Sequence, residues 1–332
     1  MCSVEIDGPM DPLDVGILRE LSRDQILWFG RIDPRISAAE VARRLGVDRA
    51  TVGSRLRTWE RQGFLLAHEV VPSPLVFGAQ IAGGNLSVSE IRQKPRILED
   101  LALVPGVISA VDHVGEWIAL LYAFDRPESL DRSRRLLGRL PGVGAVTPCV
   151  PFRAPEPTMT LTRVDLRILN GLRLGSRRSF QEISRAAGVS TKSLARRMER
   201  LVRGRCIWYL PILDFTRYKK SVFARFVVVL KPNSNATQVA EQVSLKLPHL
   251  TYLTDTTAFV EPSRSMPPLL DVGAHVDSVG EVEDIQRELS GLDGVDDVEV
   301  LFPRRFHLYR GWFDDRIHDA LGRLEGKSRS QG

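Results

Sequence analysis

RISAAEVARRLGVDRATVGSRLRTWERQGFL (35–65) and RRSFQEISRAAGVSTKSLARRMERLVRGRCI (177–207) decide the fold, because they are two copies of one pattern. A constant offset of 142 lays Arg35 on Arg177, Ser37 on Ser179, Gly46 on Gly188, Val47 on Val189, Leu56 on Met198 and Arg61 on Arg203. Carried upstream, the same offset sets Ile26-Leu27 on Ile168-Leu169 and predicts a helix over 23–32. Ser37 is a good N-cap for a helix over 38–45, since its hydroxyl can accept from a free amide of the first turn. Gly46 tolerates the positive φ that ends a helix. Asp48 then caps a helix over 49–62, with Val52, Leu56 and Trp59 at helical spacing on the core side. Gly63 stops it, and Phe64 to Val71 read as an extended wing. In the second copy Ser179 and Ser190 cap, Leu194, Met198 and Leu201 face inward, and Arg205 to Leu210 are extended. Arg205 stands where the first copy has Gly63, so that helix is expected to end differently. Helix, helix, tight turn, helix is the helix-turn-helix plan. Residues 10–22 read as an additional helix starting at Pro12.

The remainder of each half repeats more loosely. The first reads strand 76–87, helix 90–102, strands 107–113 and 117–124, helix 128–139, strand 143–150. The second reads strand 222–230, helix 236–246, strands 250–257 and 269–276, helix 279–290, strand 295–302. Pro105-Gly106 and Pro141-Gly142 supply turns. The order βαββαβ is that of a ferredoxin-like sandwich with one open, partly apolar sheet face, which favours sheet-to-sheet pairing. The offset grows from 143 at Pro105/Pro248 to 152 at Asp125/Asp277, so the second copy holds nine extra residues within 255–268. The fold class is therefore α+β: two winged helix-turn-helix domains, each followed by a ferredoxin-like domain, made by internal duplication. Expected boundaries are 10–72, 73–153, a linker over 154–160, 161–214, 215–310, and a C-terminal helix with a polar tail over 311–332, disordered from 325.

Composition narrows the function classes. A chain of 332 residues with 43% hydrophobic and 26% charged residues can build sizeable cores. It has no apolar run near 18 residues and an acidic start, so neither a membrane span nor a secretory signal is expected. Cys2, Cys149 and Cys206 lie far apart, which points to a reducing cytoplasm; no metal site and no cofactor is expected. Net charge is only +5, yet 37–66 carries +3 and 176–205 carries +7, leaving an acidic remainder. Two basic islands on an acidic body suggest a polyanionic partner.

A helix-turn-helix followed by βαββαβ resembles the leucine-responsive/asparagine-synthesis (Lrp/AsnC) family of transcriptional regulators. The resemblance is closest in 35–65 and covers about 23–150 and 165–305. It implies a sequence-specific regulator that binds double-stranded DNA, assembles as a homo-oligomer through its sheets and responds to an amino acid or similar small metabolite. A recognition helix offers short or basic side chains to the major groove. The residues so placed are Arg49, Ala50, Thr51, Ser54, Arg55 and Arg57 in the first copy, and Thr191, Lys192, Ser193, Arg196, Arg197 and Arg200 in the second. Lys192 and Arg196 suit guanine edges. Arg43, Arg44, Arg57, Arg61, Arg177, Arg178, Arg200 and Arg203 suit phosphates. The family holds its effector near the hairpin of the middle strands, here Gly115, Glu116 and Trp117; in the second copy the extra residues 261–268 fall at the equivalent hairpin. Siroheme decarboxylases are similar in plan and are the rival class, with a non-DNA-binding assembly protein as a third reading. Their His-Asn-Tyr stretch is not evident: His113 is followed by Val114-Gly115, and His249 by Leu250-Thr251-Tyr252. No enzyme is therefore expected.

Overall fold

The computed structural model describes residues 10–22, 25–26, 29–31, 38–147, 149–172, 179–217, 221–247, 250–255 and 267–329. Each half opens with three helices: α1 (Pro12–Ser22), α2 (Ala38–Leu45) and α3 (Arg49–Gln62), then α6 (Arg163–Leu172), α7 (Phe180–Ala187) and α8 (Thr191–Arg203). The helix expected over 23–32 is not there. Gln25–Ile26 (β1) and Phe29–Arg31 (β2) pair as strands instead. The helix starting at Pro12 is no addition but the first member of the triad: Ile17 and Leu18 are buried in the first core as Ile168 and Leu169 are in the second. Fifteen residues separate the first two helices in one copy and seven in the other, so an ungapped alignment misplaces the first helix. Ser37 lies outside the described residues.

Both ferredoxin-like units form as expected. The first has β4 (Gln80–Val88), α4 (Lys94–Asp100), β5 (Val107–His113), β6 (Trp117–Phe124), α5 (Pro127–Leu137) and β7 (Val143–Val146). The second has β10 (Val222–Leu230), α9 (Ala236–Lys246), β11 (Leu250–Asp255), β12 (Leu269–Val276), α10 (Val279–Ser290) and β13 (Val295–Leu301). Both sheets run in the antiparallel order second, third, first, fourth strand. The strand expected over 143–150 divides into β7 and a short β8 (Val150–Phe152), both paired with β4. The extra residues of the second hairpin lie largely within 256–266, outside the described residues.

Two features tie the halves together. The wings β3 (Leu65–Pro72) and β9 (Ile207–Leu213) pair antiparallel, Leu65 opposite Leu213 and Val71 opposite Trp208. Because these strands are equivalents, the pairing relates the copies by a local two-fold axis. A further strand that the sequence reading missed, β14 (Pro303–Leu308), leaves the second unit and adds to the outer edge of the first sheet beside β5. The helix α11 (Gly311–Arg329) follows, running further into the tail than expected.

The open face of the first sheet is not free. Ile81, Ile108, Val111 and Leu121 pack against Trp208, Leu210 and Ile212 of β9, Phe306 of β14 and Phe313 of α11. Each helix triad leans on the other unit. Val70, Val76 and Phe77 of the first half pack on the core of the second triad, which Ile317 of α11 also enters. The first triad reaches the second sheet through a run of rings, Phe64 to Phe215 at 5.9 Å and Phe215 to Phe223 at 4.2 Å. Arg19 of α1 donates to the carbonyl of Leu250 at 2.7 Å.

Candidate nucleic-acid interface

The helices α3 and α8 present the faces that the sequence assigned to DNA. Val52 and Trp59 are buried, and Leu56 is half-buried; Leu194 and Leu201 are buried, and Met198 is half-buried. Opposite them Arg49, Ala50, Thr51, Ser54 and Arg57 are exposed on α3, and Thr191, Lys192 and Arg196 on α8, with Ser193 half-buried. The start of α8 is fixed by the Ser190 hydroxyl, which accepts from the Ser193 amide at 3.2 Å. The start of α7 is fixed by a reciprocal pair: Ser179 accepts from the Glu182 amide, and Glu182 accepts from the Ser179 amide at 2.7 Å. Asp48 occupies the N-cap position of α3, but its side chain makes no capping bond, so the first recognition helix lacks that fixture. Among the described residues the side chains of Arg49, Arg57, Lys192 and Arg196 make no hydrogen bond or ion pair with the protein.

Arg55, Arg197 and Arg200 behave differently. Each is bound to an acid on the first helix of its own triad. Arg197 and Arg200 converge on Asp165 at 2.9 and 2.8 Å. Asp165 is fully buried and also accepts from the Thr162 hydroxyl at 2.5 Å. Burial pushes the Asp165 carboxyl up, but the Thr162 hydroxyl and amide and the two guanidinium groups outweigh it, so its pKa falls below the ordinary range. In the first copy Arg55 reaches the equivalent Asp14 at 3.3 Å and the neighbouring Asp11 at 2.6 Å. Here Asp11 replaces Thr162 and Thr58 replaces Arg200, so an acid is added and a base removed. Burial first, and the Asp11 carboxylate next, raise the Asp14 pKa to about 6, which Arg55 only partly counters. These three arginines hold α3 and α8 to the first helices of their triads. The spacing D-x-x-I-L, shared by Asp14–Leu18 and Asp165–Leu169, is the signal that would have revealed the anchor.

Several phosphate candidates are also engaged. Arg43 and Arg44 both bind Glu40, at 2.5 and 2.9 Å, and Arg44 also binds Glu20 at 3.0 Å. Hydrogen bonds from Arg43 and then Arg44 hold the Glu40 carboxyl down to about 2. Arg203 binds Glu199, and Arg61 donates to the Thr58 hydroxyl at 3.1 Å. Exposed pairs like Arg43–Glu40 are weak, so a phosphate competes readily for such an arginine. Arg177 and Arg178 lie outside the described residues.

α8 ends one equivalent residue earlier than α3, with Gly204 rather than a left-handed residue as its C-cap, but the turn that follows is the same. Arg205 adopts φ 55°, in the same left-handed region as Gly63 at 74°. The closing hydrogen bonds match too: Gly63 and Phe64 donate to Glu60 and Trp59, and Arg205 and Cys206 donate to Val202 and Leu201. The wing needs that geometry in both copies, and Arg205 accepts the strain.

The hairpin residues Gly115 and Glu116 are exposed and Trp117 is half-buried. Gly115 has φ +84°, as a tight hairpin tip requires. The hairpin is tied to the second unit by the Val114 amide, which donates to Phe302 O at 2.8 Å. His113 is buried with neither ring nitrogen hydrogen-bonded among the described residues. Burial, then Arg225 and Lys94, push its pKa down to about 3. No helix among the described residues is long and apolar enough to cross a membrane.

Comparison with known proteins agrees with this construction. The AsnC-type helix-turn-helix domain matches residues 10–58 and 161–202, including α1 and α6 as first helices. None of the curated proteins compared matches the chain in sequence. Among solved structures, the siroheme decarboxylase NirDL is similar over 95% of this chain and 100% of its own, at 15% identity and a TM-score of 0.52. Escherichia coli AsnC aligns with 47% of this chain and 99% of its own, at 18% identity and a TM-score of 0.30. The class is thus a protein built on a doubled AsnC-type helix-turn-helix domain. Two copies of that domain stand in one chain. The expectation that the chain is no enzyme does not stand: an enzyme shares its architecture from end to end, so the fold does not separate regulator from catalyst.

Proposed function

We propose that the chain is a sequence-specific DNA-binding transcriptional regulator in which one polypeptide does the work of a dimer. The observation that carries this reading is the pair of exposed recognition faces on α3 and α8, with Lys192, Arg196, Arg49 and Arg57 unengaged by the protein. On this reading Lys192 and Arg196 read base edges, while Arg49 and Arg57 meet phosphates. An amino acid or similar metabolite near Gly115, Glu116 and Trp117 modulates binding, and copies assemble further through exposed surfaces of the ferredoxin-like units. The test is in vitro selection of DNA followed by a salt titration. With ~6 phosphate contacts the log–log slope of affinity against salt is about −5. Arg196→Ala relaxes preference at one position, a loss of ~1–3 kcal/mol of discrimination. A slope near zero, or a preference unchanged by Arg196→Ala, removes the reading.

A second reading, tetrapyrrole chemistry of the siroheme decarboxylase kind, is favoured by one observation, the buried and unbonded imidazole of His113 beside Arg225. Mixing the chain with siroheme and recording absorption and product mass decides it. A coloured complex and a decarboxylated product support that reading; their absence leaves the regulator.

A further inference from the structure

The two helices of a ferredoxin-like unit cover four strands, and the first sheet adds β14 beyond them. β14 lies beyond β5, so its helix-side face stands next to α4 rather than beneath it. Between them is a cleft of about 630 Å³, within the size range of small-molecule sites. Arg305, His307 and Tyr309 line its strand side. Register puts Arg305 opposite Asp112 and His307 opposite Ala110, whose side chains face α4. The Tyr309 hydroxyl donates to Leu98 O at 2.7 Å. Pro95 and Leu98 of α4 form an apolar wall.

Three basic and three acidic side chains line the cleft, but they are unevenly paired. Lys94, 2% exposed, donates to the carbonyls of His113 at 2.5 Å and Gly115 at 2.8 Å and pairs with Asp112 at 2.8 Å. Arg304 reaches the same Asp112 at 3.5 Å, so one carboxylate faces two cations. Asp214, at the end of the cleft, is occupied by the Thr216 hydroxyl at 2.5 Å and by Arg217 at 3.6 Å. The side chains of Arg305 and His307 make no hydrogen bond or ion pair among the described residues. Burial and then Arg305 push the His307 pKa down, so at neutral pH it offers hydrogen bonds rather than charge. Glu99 on the α4 side is exposed. What is left over is the Arg305 guanidinium, with Arg304 sharing Asp112 next to it, a neutral imidazole and a phenol ring beside an apolar wall.

We propose that this cleft binds a small monocarboxylate with a compact apolar body. Arg305 and Arg304 hold the carboxylate, and the body lies along Pro95, Leu98 and Tyr309. The site exists only because the second unit lends β14 to the first. A ligand there also touches the segment that follows β9, one strand of the paired wings. This consequence for DNA rests on the regulator reading; the binding itself does not.

Calorimetric titration of the full chain without DNA tests the site, using butyrate, isovalerate, isocaproate and phenylacetate as probes, with leucine as the ammonium-bearing counterpart of isocaproate. The expected result is saturable binding of at least one monocarboxylate, weakened about tenfold or more by Arg305→Ala, which removes a charge-assisted hydrogen bond from an exposed position. His307→Ala weakens it less. No saturable heat with any probe overturns the proposal, as does an affinity that Arg305→Ala leaves unchanged. Leucine binding more tightly than isocaproate overturns the assigned ligand class. Failure of DNA binding in a parallel titration bears on the regulator reading alone, since the calorimetry contains no DNA.

Discussion

Asp165→Asn and Asp14→Asn move stability in opposite directions, although the two acids occupy the same place in the two triads. Asp165 is fully buried and held by two guanidinium groups and a hydroxyl. Breaking a buried ion pair from one side costs about 3–5 kcal/mol. Arg197 and Arg200 are 24% and 48% exposed, so water reclaims part of that. The expected loss is about 2–3 kcal/mol. Asp14 is the reverse. Its pKa rises from 3.8 to about 6, so at pH 7 the folded protein holds a carboxylate that it would rather keep protonated. Holding that carboxyl ionised costs the fold roughly 3 kcal/mol. Asparagine removes that penalty but gives up the 3.3 Å contact with Arg55, which keeps Asp11 at 2.6 Å. A net gain of about 1 kcal/mol follows for Asp14→Asn. Urea unfolding of the full chain, followed by far-ultraviolet circular dichroism, reads both as midpoint shifts at constant slope. The reasoning is refuted if Asp14→Asn destabilises as much as Asp165→Asn, or if Asp165→Asn leaves the midpoint in place.

The same acids set opposite pH responses. The stabilisation from protonating Asp14 is complete below pH 3.8 and lost as pH rises through about 6, whereas that from ionised Asp165 is lost as pH falls through its lowered pKa. Stability measured between pH 4 and 7 should lose its Asp14-dependent slope in Asp14→Asn and keep it in Asp165→Asn. Arg205→Gly relieves a left-handed arginine and should raise stability by about 1 kcal/mol in the same urea assay. Gly106→Ala should cost about 2 kcal/mol or more, because at φ +84° its Cβ would lie 2.8 Å from the Ala123 carbonyl oxygen; soluble yield and thermal midpoint report it.

Much of the architecture was legible because period and capping are local properties. Strands 107–113, 117–124, 222–230 and 269–276 were legible as short, largely apolar runs bounded by turn or loop residues. The first helix of the first triad was misplaced because an insertion between helices leaves no composition signal, and Ile26-Leu27 imitates the buried pair Ile17-Leu18. β14 was missed although Phe306 and Leu308 alternate with Arg305 and His307. Its partner lies in the other half of the chain, and no local pattern announces a strand lent across a duplication. The exposed faces of α3 and α8 were legible from helical period alone. Which arginines stay outward was not, because Asp14 and Asp165, which claim Arg55, Arg197 and Arg200, sit more than thirty residues away.

The pairing of β3 with β9 joins two helix-turn-helix units whose third helices are no longer alike. Where α3 carries Ala50, Ser54 and Arg57, α8 carries Lys192, Arg196 and Glu199. A dimer of identical chains looks the same from either end of its operator, and its site is a palindrome. A chain with two different readers fixed about one axis has a front and a back. On the regulator reading its operator would be two unlike half-sites in a set order, and turning that operator around would turn the protein with it. The duplication would then supply polarity: the bound complex points along the DNA, toward one neighbouring gene and away from the other.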